Sequence, residues 1–222
     1  MRRTLLTVLF LAILAGAALA QEQPGTPLVI TTDHALPKAI LTANYETKLA
    51  ATGGVLPRTW EVIDGKLPPG LNLDPATGAI TGTPTALGQF RFAVEVSDSD
   101  DPPDTRTREF SLSVISALVV EWKKIPAVTA TGIEGSVKLI NQTADNFDLT
   151  MIVVAVNEVG KAFVLGYQYF NLAAGNTMQE IPFGASLPQG EYIVHADVIG
   201  EVSSKNAIYR ARLQTSQPLT TH

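Results

Sequence analysis

Residues 64–96 read "DGKLPPGLNLDPATGAITGTPTALGQFRFAVEV", and the rhythm of this run decides the fold. Its last eight residues place Phe90, Phe92, Val94 and Val96 on one side of an extended chain and Arg91 and Glu95 on the other. Alternation with period two is the signature of a half-buried strand. Upstream, "DGKLPPG" (64–70), "DPATG" (74–78) and "GTPTALG" (82–88) are turn clusters, in which Pro presets φ and Gly supplies positive φ. They leave room only for very short strands, such as one centred on Ile80. The alternation recurs in "RTWEVI" (58–63), with Trp60 and Val62 inward, in "REFSLSV" (108–114), with Phe110, Leu112 and Val114 inward, and more weakly in "NYETKLAA" (44–51). With no amphipathic helix of useful length beyond the N-terminal segment, the expectation is an antiparallel sandwich with Trp60 at its centre.

A second cycle begins near Ala117. Its candidate strands are "LVVEW" (118–122), "GSVKLIN" (135–141), "FDLTMIVVAVNE" (147–158), "KAFVLGYQYFNL" (161–172), "TMQEIPF" (177–183), "GEYIVHADV" (190–198) and "NAIYRARL" (206–213). The 147–158 run is apolar on both parities, as a central strand covered on both faces would be. Short strands with turns every eight to twelve residues point to two tandem immunoglobulin-like β-sandwiches, over 27–116 and 117–214, with 215–222 as a disordered tail. A single larger sandwich is the competing arrangement. No Gly/Pro linker separates the halves at 115–118, so stiff abutment is expected.

The first twenty residues, "MRRTLLTVLFLAILAGAALA", join Arg2 and Arg3 to an apolar stretch and a small-x-small end at Ala18–Ala20. This is the pattern of a cleaved signal peptide, and it implies a secreted or periplasmic protein. Without Arg2 and Arg3 the chain keeps 14 basic and 21 acidic residues. That balance argues against nucleic-acid binding, which needs a positive patch. No later segment is apolar for long enough to span a bilayer. With no cysteine, neither a disulfide framework nor thiolate metal sites are available, and stability must come from burial.

Residues 53–114 resemble the "putative immunoglobulin-like domain" family of bacterial envelope and secreted proteins, which is related to dystroglycan-type cadherin-like domains. The resemblance is carried by the Trp60 strand, "GKLPPGLNLD" (65–74), "TGAITGTPT" (77–85), "LGQFRFAVEVSDS" (87–99) and "FSLSV" (110–114). It implies an immunoglobulin-like sandwich acting as a spacer or adhesive module and brings no catalytic residues. Residues 117–213 resemble immunoglobulin-like or fibronectin-like modules by pattern alone, with Tyr192 where a tyrosine corner would sit.

Two stretches carry candidate chemistry. "VSDSDDPPDT" (96–105) holds Asp98, Asp100, Asp101 and Asp104, the candidate calcium ligands. Against an EF-hand, Pro102 and Pro103 occupy places that need a carboxylate or amide and a glycine. As the hairpin between the sixth and seventh strands, the loop should lie at the end of its domain away from the second. It therefore reads as a solvated tip, with Arg106 and Arg108 partly neutralising it. Adjacent acids in the same water do not make a general acid–base pair. "AFVLGYQYF" (162–170) sets Phe163, Tyr167 and Tyr169 on one parity, which reads as a core face or, alternatively, as an exposed strip with Tyr167 and Tyr169 binding a partner protein or glycan. His195 and Asp197 share an exposed strand face without a second histidine, and Asn141-Gln142-Thr143 has the form of a glycosylation sequon that a bacterial chain leaves unused. No hydrolase, zinc-protease or phosphate-loop motif occurs. The expectation is a non-enzymatic structural or adhesive binding module of the cell envelope, without cofactor, whose partner is another envelope or extracellular protein or a glycan. A calcium-binding cadherin-like adhesion protein and a carbohydrate-binding accessory protein are the alternatives.

Overall fold

The computed structural model describes residues 25–222. The expected signal peptide lies outside them. The described residues are all β apart from one short 3-10 turn at Ser203–Lys205.

In the first half, β2 (Ala39–Ile40), β9 (Thr105–Ile115), β8 (Gly88–Ser97) and β5 (Thr59–Gly65) form one sheet in that order. Facing it are β3 (Tyr45–Lys48), β7 (Ala79–Gly82) and β6 (Leu71–Leu73). β1 (Val29–Ile30) and β4 (Ala51–Thr52) pair at one end. The alternating residues of β8 and β9 behave as their pattern demands: Phe92, Val94, Val96, Phe110, Leu112 and Val114 are all buried. Trp60 is buried with them. Its indole lies so close to Gly78 that a Cβ there would come within 2.9 Å of Nε1, and Gly78 has φ +71°. Any side chain at 78 would therefore be strained and would displace the tryptophan.

The second half is a three-plus-four sandwich. β10 (Leu118–Val128), β11 (Gly132–Asn141) and β14 (Thr177–Ser186) form one layer. β13 (Ala162–Leu172), β12 (Phe147–Asn157), β15 (Gly190–Val202) and β16 (Ala207–Gln214) form the other. Its core holds Phe147, Leu149, Met151 and Val153 from β12 and Val194, Ala196 and Val198 from β15. Tyr192 is buried and its hydroxyl donates to the carbonyl of Pro188 at 3.0 Å, which makes it a tyrosine corner.

Among the described residues no strand of the first half pairs with one of the second, and the two buried clusters are separate. Ile40 packs from the first half against the second cluster. Ile115 and Leu118 are separated only by Ser116 and Ala117, as the absence of a linker required.

Three expectations are corrected. Residues 215–222 are not a disordered tail: β17 (Leu219–Thr221) pairs with Gly190–Tyr192 and extends the line of β16. Thr221 is buried, and its hydroxyl donates to Pro188 O at 2.7 Å while accepting from the Gly190 N–H at 3.1 Å. A polar, proline-containing end hides this because the bonds are made to a turn thirty residues upstream. Second, β12 is covered on one face only. Thr150, Ile152, Val154 and Val156 point outward, and among the described residues no element lies over them. Third, Phe163, Tyr167 and Tyr169 do not share a face, for a reason given below. Deleting residues 215–222 should destabilise the protein by about 2–3 kcal/mol, since several buried hydrogen bonds worth about 1 kcal/mol each are lost. Denaturant unfolding measures this, and an unchanged midpoint would mean that the end segment contributes nothing.

Candidate functional site

The acidic loop joins β8 to β9, and its backbone closes with Asp98 N–H donating to Asp104 O at 3.0 Å. The four aspartates do not act together. Asp98 points inward and is only 7% exposed. Its Oδ2 accepts from the Val55 N–H at 2.9 Å, and its Oδ1 accepts from the N–H groups of Asp104 at 2.8 Å and Asp100 at 3.2 Å. These backbone donors, that of Val55 above all, and the nearby Arg58 charge hold the carboxyl below its ordinary range against the opposing effect of burial. Asp104 pairs with Arg106, and Asp100 accepts from the Asp101 N–H at 2.9 Å. Among the described residues, no group of three or more His, Asp or Glu is placed to hold a metal ion.

The expectation of a solvated tip is therefore corrected for one residue. Asp98 is an internal brace that ties the hairpin to the Gly53–Leu56 loop. Gly54 lies against it with φ +70°, and a Cβ there would come within 2.7 Å of Oδ2. Arg58, which the sequence does not single out, completes the brace from below. Its guanidinium donates to Ala51 O at 2.8 Å and, through Nε, to Gly53 O at 3.0 Å. Sequence alone hides the arrangement because Asp98 and Val55 are 43 positions apart.

The other candidate pair lies on β13. Between β12 and β13 the register slips after Val153, which faces Gly166, while Val154 faces Val164. Leu165 is the extra residue, and such a bulge shifts the pleat by one position. Phe163 therefore turns inward onto Tyr192, ring to ring at 5.7 Å, and Leu165 is buried. Tyr167 and Tyr169 turn outward and are 62% and 65% exposed. The tyrosines are thus exposed and do not belong to a core face.

Across the outer face of this sheet, Tyr167 stands in line with Ile152, Asp197 and Arg212, and Tyr169 with Thr150, Ile199 and Arg210. Asp197 and Arg212 form an ion pair, and Asn171 Nδ2 donates to Asp148 at 3.3 Å. His195 and Asp197 share this face, as their spacing requires, and Asp197 is engaged by arginine and not by the histidine. Asn141 is 1% exposed, and its side-chain amide donates to the carbonyls of Asp145, Leu172 and Ala173. A glycan cannot be attached there without unfolding the turn. A depression of about 830 Å³ lies between the two halves and is lined by residues that include Lys38, Ile40, Tyr45 and Tyr209 and the Asp145–Lys205 ion pair.

A sandwich with a tyrosine corner, preceded by a sandwich with a buried tryptophan, defines the class: tandem immunoglobulin-like domains. Residues 24–115, which hold the first sandwich, match the family described as Putative Ig domain. No curated protein matches the sequence. Structural likeness extends to mouse cadherin-23 (EC22-24), at 14% identity over 87% of this chain and 66% of that one, TM-score 0.38. Human cadherin-23 (EC21-23) follows at 15% identity over 85% and 63%, TM-score 0.36. A Bacteroides fragilis chain described as a putative alpha-galactosidase/melibiase is 22% identical over 40% of this chain, TM-score 0.35, and this chain spans 17% of its length. The family points to a non-enzymatic binding or structural module, and among the described residues no helix is long and apolar enough to cross a membrane.

Because the folded carboxyl of Asp98 titrates below its unfolded value, it stabilises the protein above the ordinary carboxylate range. That contribution is lost as the pH falls through the folded value. Asp98→Asn should lower the melting midpoint at pH 7, and the gap to wild type should close on acidification below about pH 4. A gap that stays constant down to pH 2 would show that the charge of Asp98 is irrelevant to the brace.

Proposed function

We propose that this chain is an exported, non-enzymatic binding and structural module of the cell envelope, and that it makes contact through the outer face of the β13–β12–β15–β16 sheet. One observation carries the reading: Tyr167 and Tyr169 stand side by side in solvent on a face whose neighbours, Ile152 and Val164, are also exposed apolar residues. Soluble domains seldom leave such a strip uncovered unless something docks on it. Tyrosine suits the role because it offers a large rigid ring at small entropic cost and a hydroxyl for hydrogen bonding. The first domain serves as a spacer, stiffened at its far end by the Asp98 brace. In the test, the purified protein is incubated with envelope fractions of its source. Tyr167→Ala with Tyr169→Ala should lower retention at least tenfold at an unchanged melting midpoint. Equal retention would remove the face from the mechanism.

Glycan binding is the second reading, favoured by the two adjacent rings beside the Asn171–Asp148 amide–carboxylate pair. Saturable glycan-array binding that disappears in Tyr167→Ala would establish it. Calcium is not needed in either case, since the oxygens of Asp98 are taken by backbone donors and Asp104 is held by Arg106. Titration with calcium should leave the melting midpoint in place. A rise abolished by Asp100→Asn with Asp101→Asn would reinstate a calcium site at the loop.

A further inference from the structure

The depression between the two halves is concave, whereas the outer sheet face is flat. Its volume, about 830 Å³, falls in the range of about 300–1,000 Å³ usual for ligand pockets, which form preferentially where domains meet. Three turns build it: residues 40–44 from the first domain, and residues 142–145 and 205–208 from the second. Both walls are fixed in place. Tyr45 is buried, and its hydroxyl donates to Pro37 O at 3.0 Å, which holds the segment leading to Lys38. The Leu41 N–H donates to Ile115 O at 2.9 Å. On the opposite wall, the Asn141 amide donates to Asp145 O at 2.7 Å, and Lys205 Nζ donates to Asp145 Oδ2 at 2.7 Å.

The backbone singles out the same place. Among the described residues, the non-glycine residues in the left-handed region are Thr42, φ +62°, and Asn206, φ +49°. Both line this depression, one on each wall. Asparagine tolerates that conformation, but a β-branched threonine adopts it only under strain. Such strain persists where the surroundings impose it, and it concentrates at ligand sites. Here the Thr42 N–H donates to Pro84 O at 2.9 Å and the hydroxyl to Leu41 O at 2.7 Å.

The lining selects the ligand. Asn44, Gln142 and Asn206 are exposed in it, and each amide offers donors and an acceptor together. That set complements sugar hydroxyls, each of which also donates and accepts. Ile40, Ile115 and Ile208 add apolar surface for the C–H face of a sugar ring. Charge adds a further constraint. Two lysines, Lys38 and Lys205, stand against one aspartate, Asp145, so the lining is net positive in a chain of net charge −5. Asp145 is taken by Lys205, and Lys38 is exposed with no ion pair among the described residues. A positive spot in an acidic chain draws an anionic group to that point.

We propose that this cleft binds a short saccharide carrying a carboxylate, a uronic acid, with its hydroxyls on the Asn44, Gln142 and Asn206 amides and its carboxylate on the Lys38 ammonium. The inference rests on the binding-module reading above, but not on the Tyr167–Tyr169 face.

A printed array of short oligosaccharides tests it, each uronate-bearing member matched by its neutral counterpart. Wild type should bind the uronate members roughly tenfold more tightly than the neutral ones, since a hydrogen bond between charged groups is among the stronger ones. Lys38→Met should erase that preference. Asn44→Ala with Gln142→Ala, one substitution from each wall, should weaken binding roughly tenfold or more. Tyr167→Ala with Tyr169→Ala should bind the array as wild type does. Melting midpoints verify that all variants remain folded. An array on which nothing binds overturns the inference, and so does equal binding of acidic and neutral members or binding that both cleft variants keep. Binding lost only in the tyrosine variant also overturns it and assigns the sugar to the sheet face. If no glycan binds but retention on envelope fractions falls in the tyrosine variant, this inference fails and the binding-module reading stands. If retention is also unchanged, both fail.

Discussion

Pleat parity governs this molecule. Successive side chains of a strand point to opposite sides, so each strand commits one set of residues to the core and the other to water, and a slip of one position exchanges the sets. With no cysteine to clamp the layers, both sandwiches rely on that commitment. Phe92, Val94 and Val96 interlock with Phe110, Leu112 and Val114 in the first domain, and Met151 and Val153 with Val194 and Ala196 in the second. Where parity is broken, the exposed set of side chains changes. The single extra residue at Leu165 keeps Phe163 in the core, against Tyr192, and turns Tyr167 and Tyr169 out. An unbulged β13 would have buried the tyrosines or exposed Phe163.

The polar groups follow a complementary logic. Backbone donors and acceptors that the sheets leave unpaired at the domain ends are taken up by a few buried side chains. Asp98 collects three N–H groups at the far end of the first domain. Asn141 donates to three carbonyls where β11 turns toward β12, and Thr221 closes the Pro188–Gly190 turn. Each resembles a functional residue in the sequence: an acid in a cluster, a sequon asparagine, a hydroxyl in a polar tail. All three are taken up by the work of ending strands.

The molecule therefore divides by role. Its first domain matches a known immunoglobulin-like family and ends in a braced hairpin. Its second domain presents the open sheet face. Ile40, which packs against the second domain, belongs to a strand of only two residues, β2, that runs parallel to the end of β9. The junction is thus held by packing, with no flexible tether between Ile115 and Leu118.

The sequence by itself determined the strands, the all-β class and the tyrosine corner, because those depend on period-two alternation and on Gly and Pro at turns, which are local. It also placed His195 and Asp197 on one exposed face, since their spacing lies within an unbroken strand. Only the tertiary structure decided the direction of Tyr167 and Tyr169, the inward turn of Asp98, the ordered end of the chain and the uncovered face of β12. Three of these depend on a residue in another element: Val153 and Val154 for the bulge, Val55 for the carboxylate, Pro188 for Thr221. A chain records what each residue prefers, but which of two faces is covered is settled only when the layers meet.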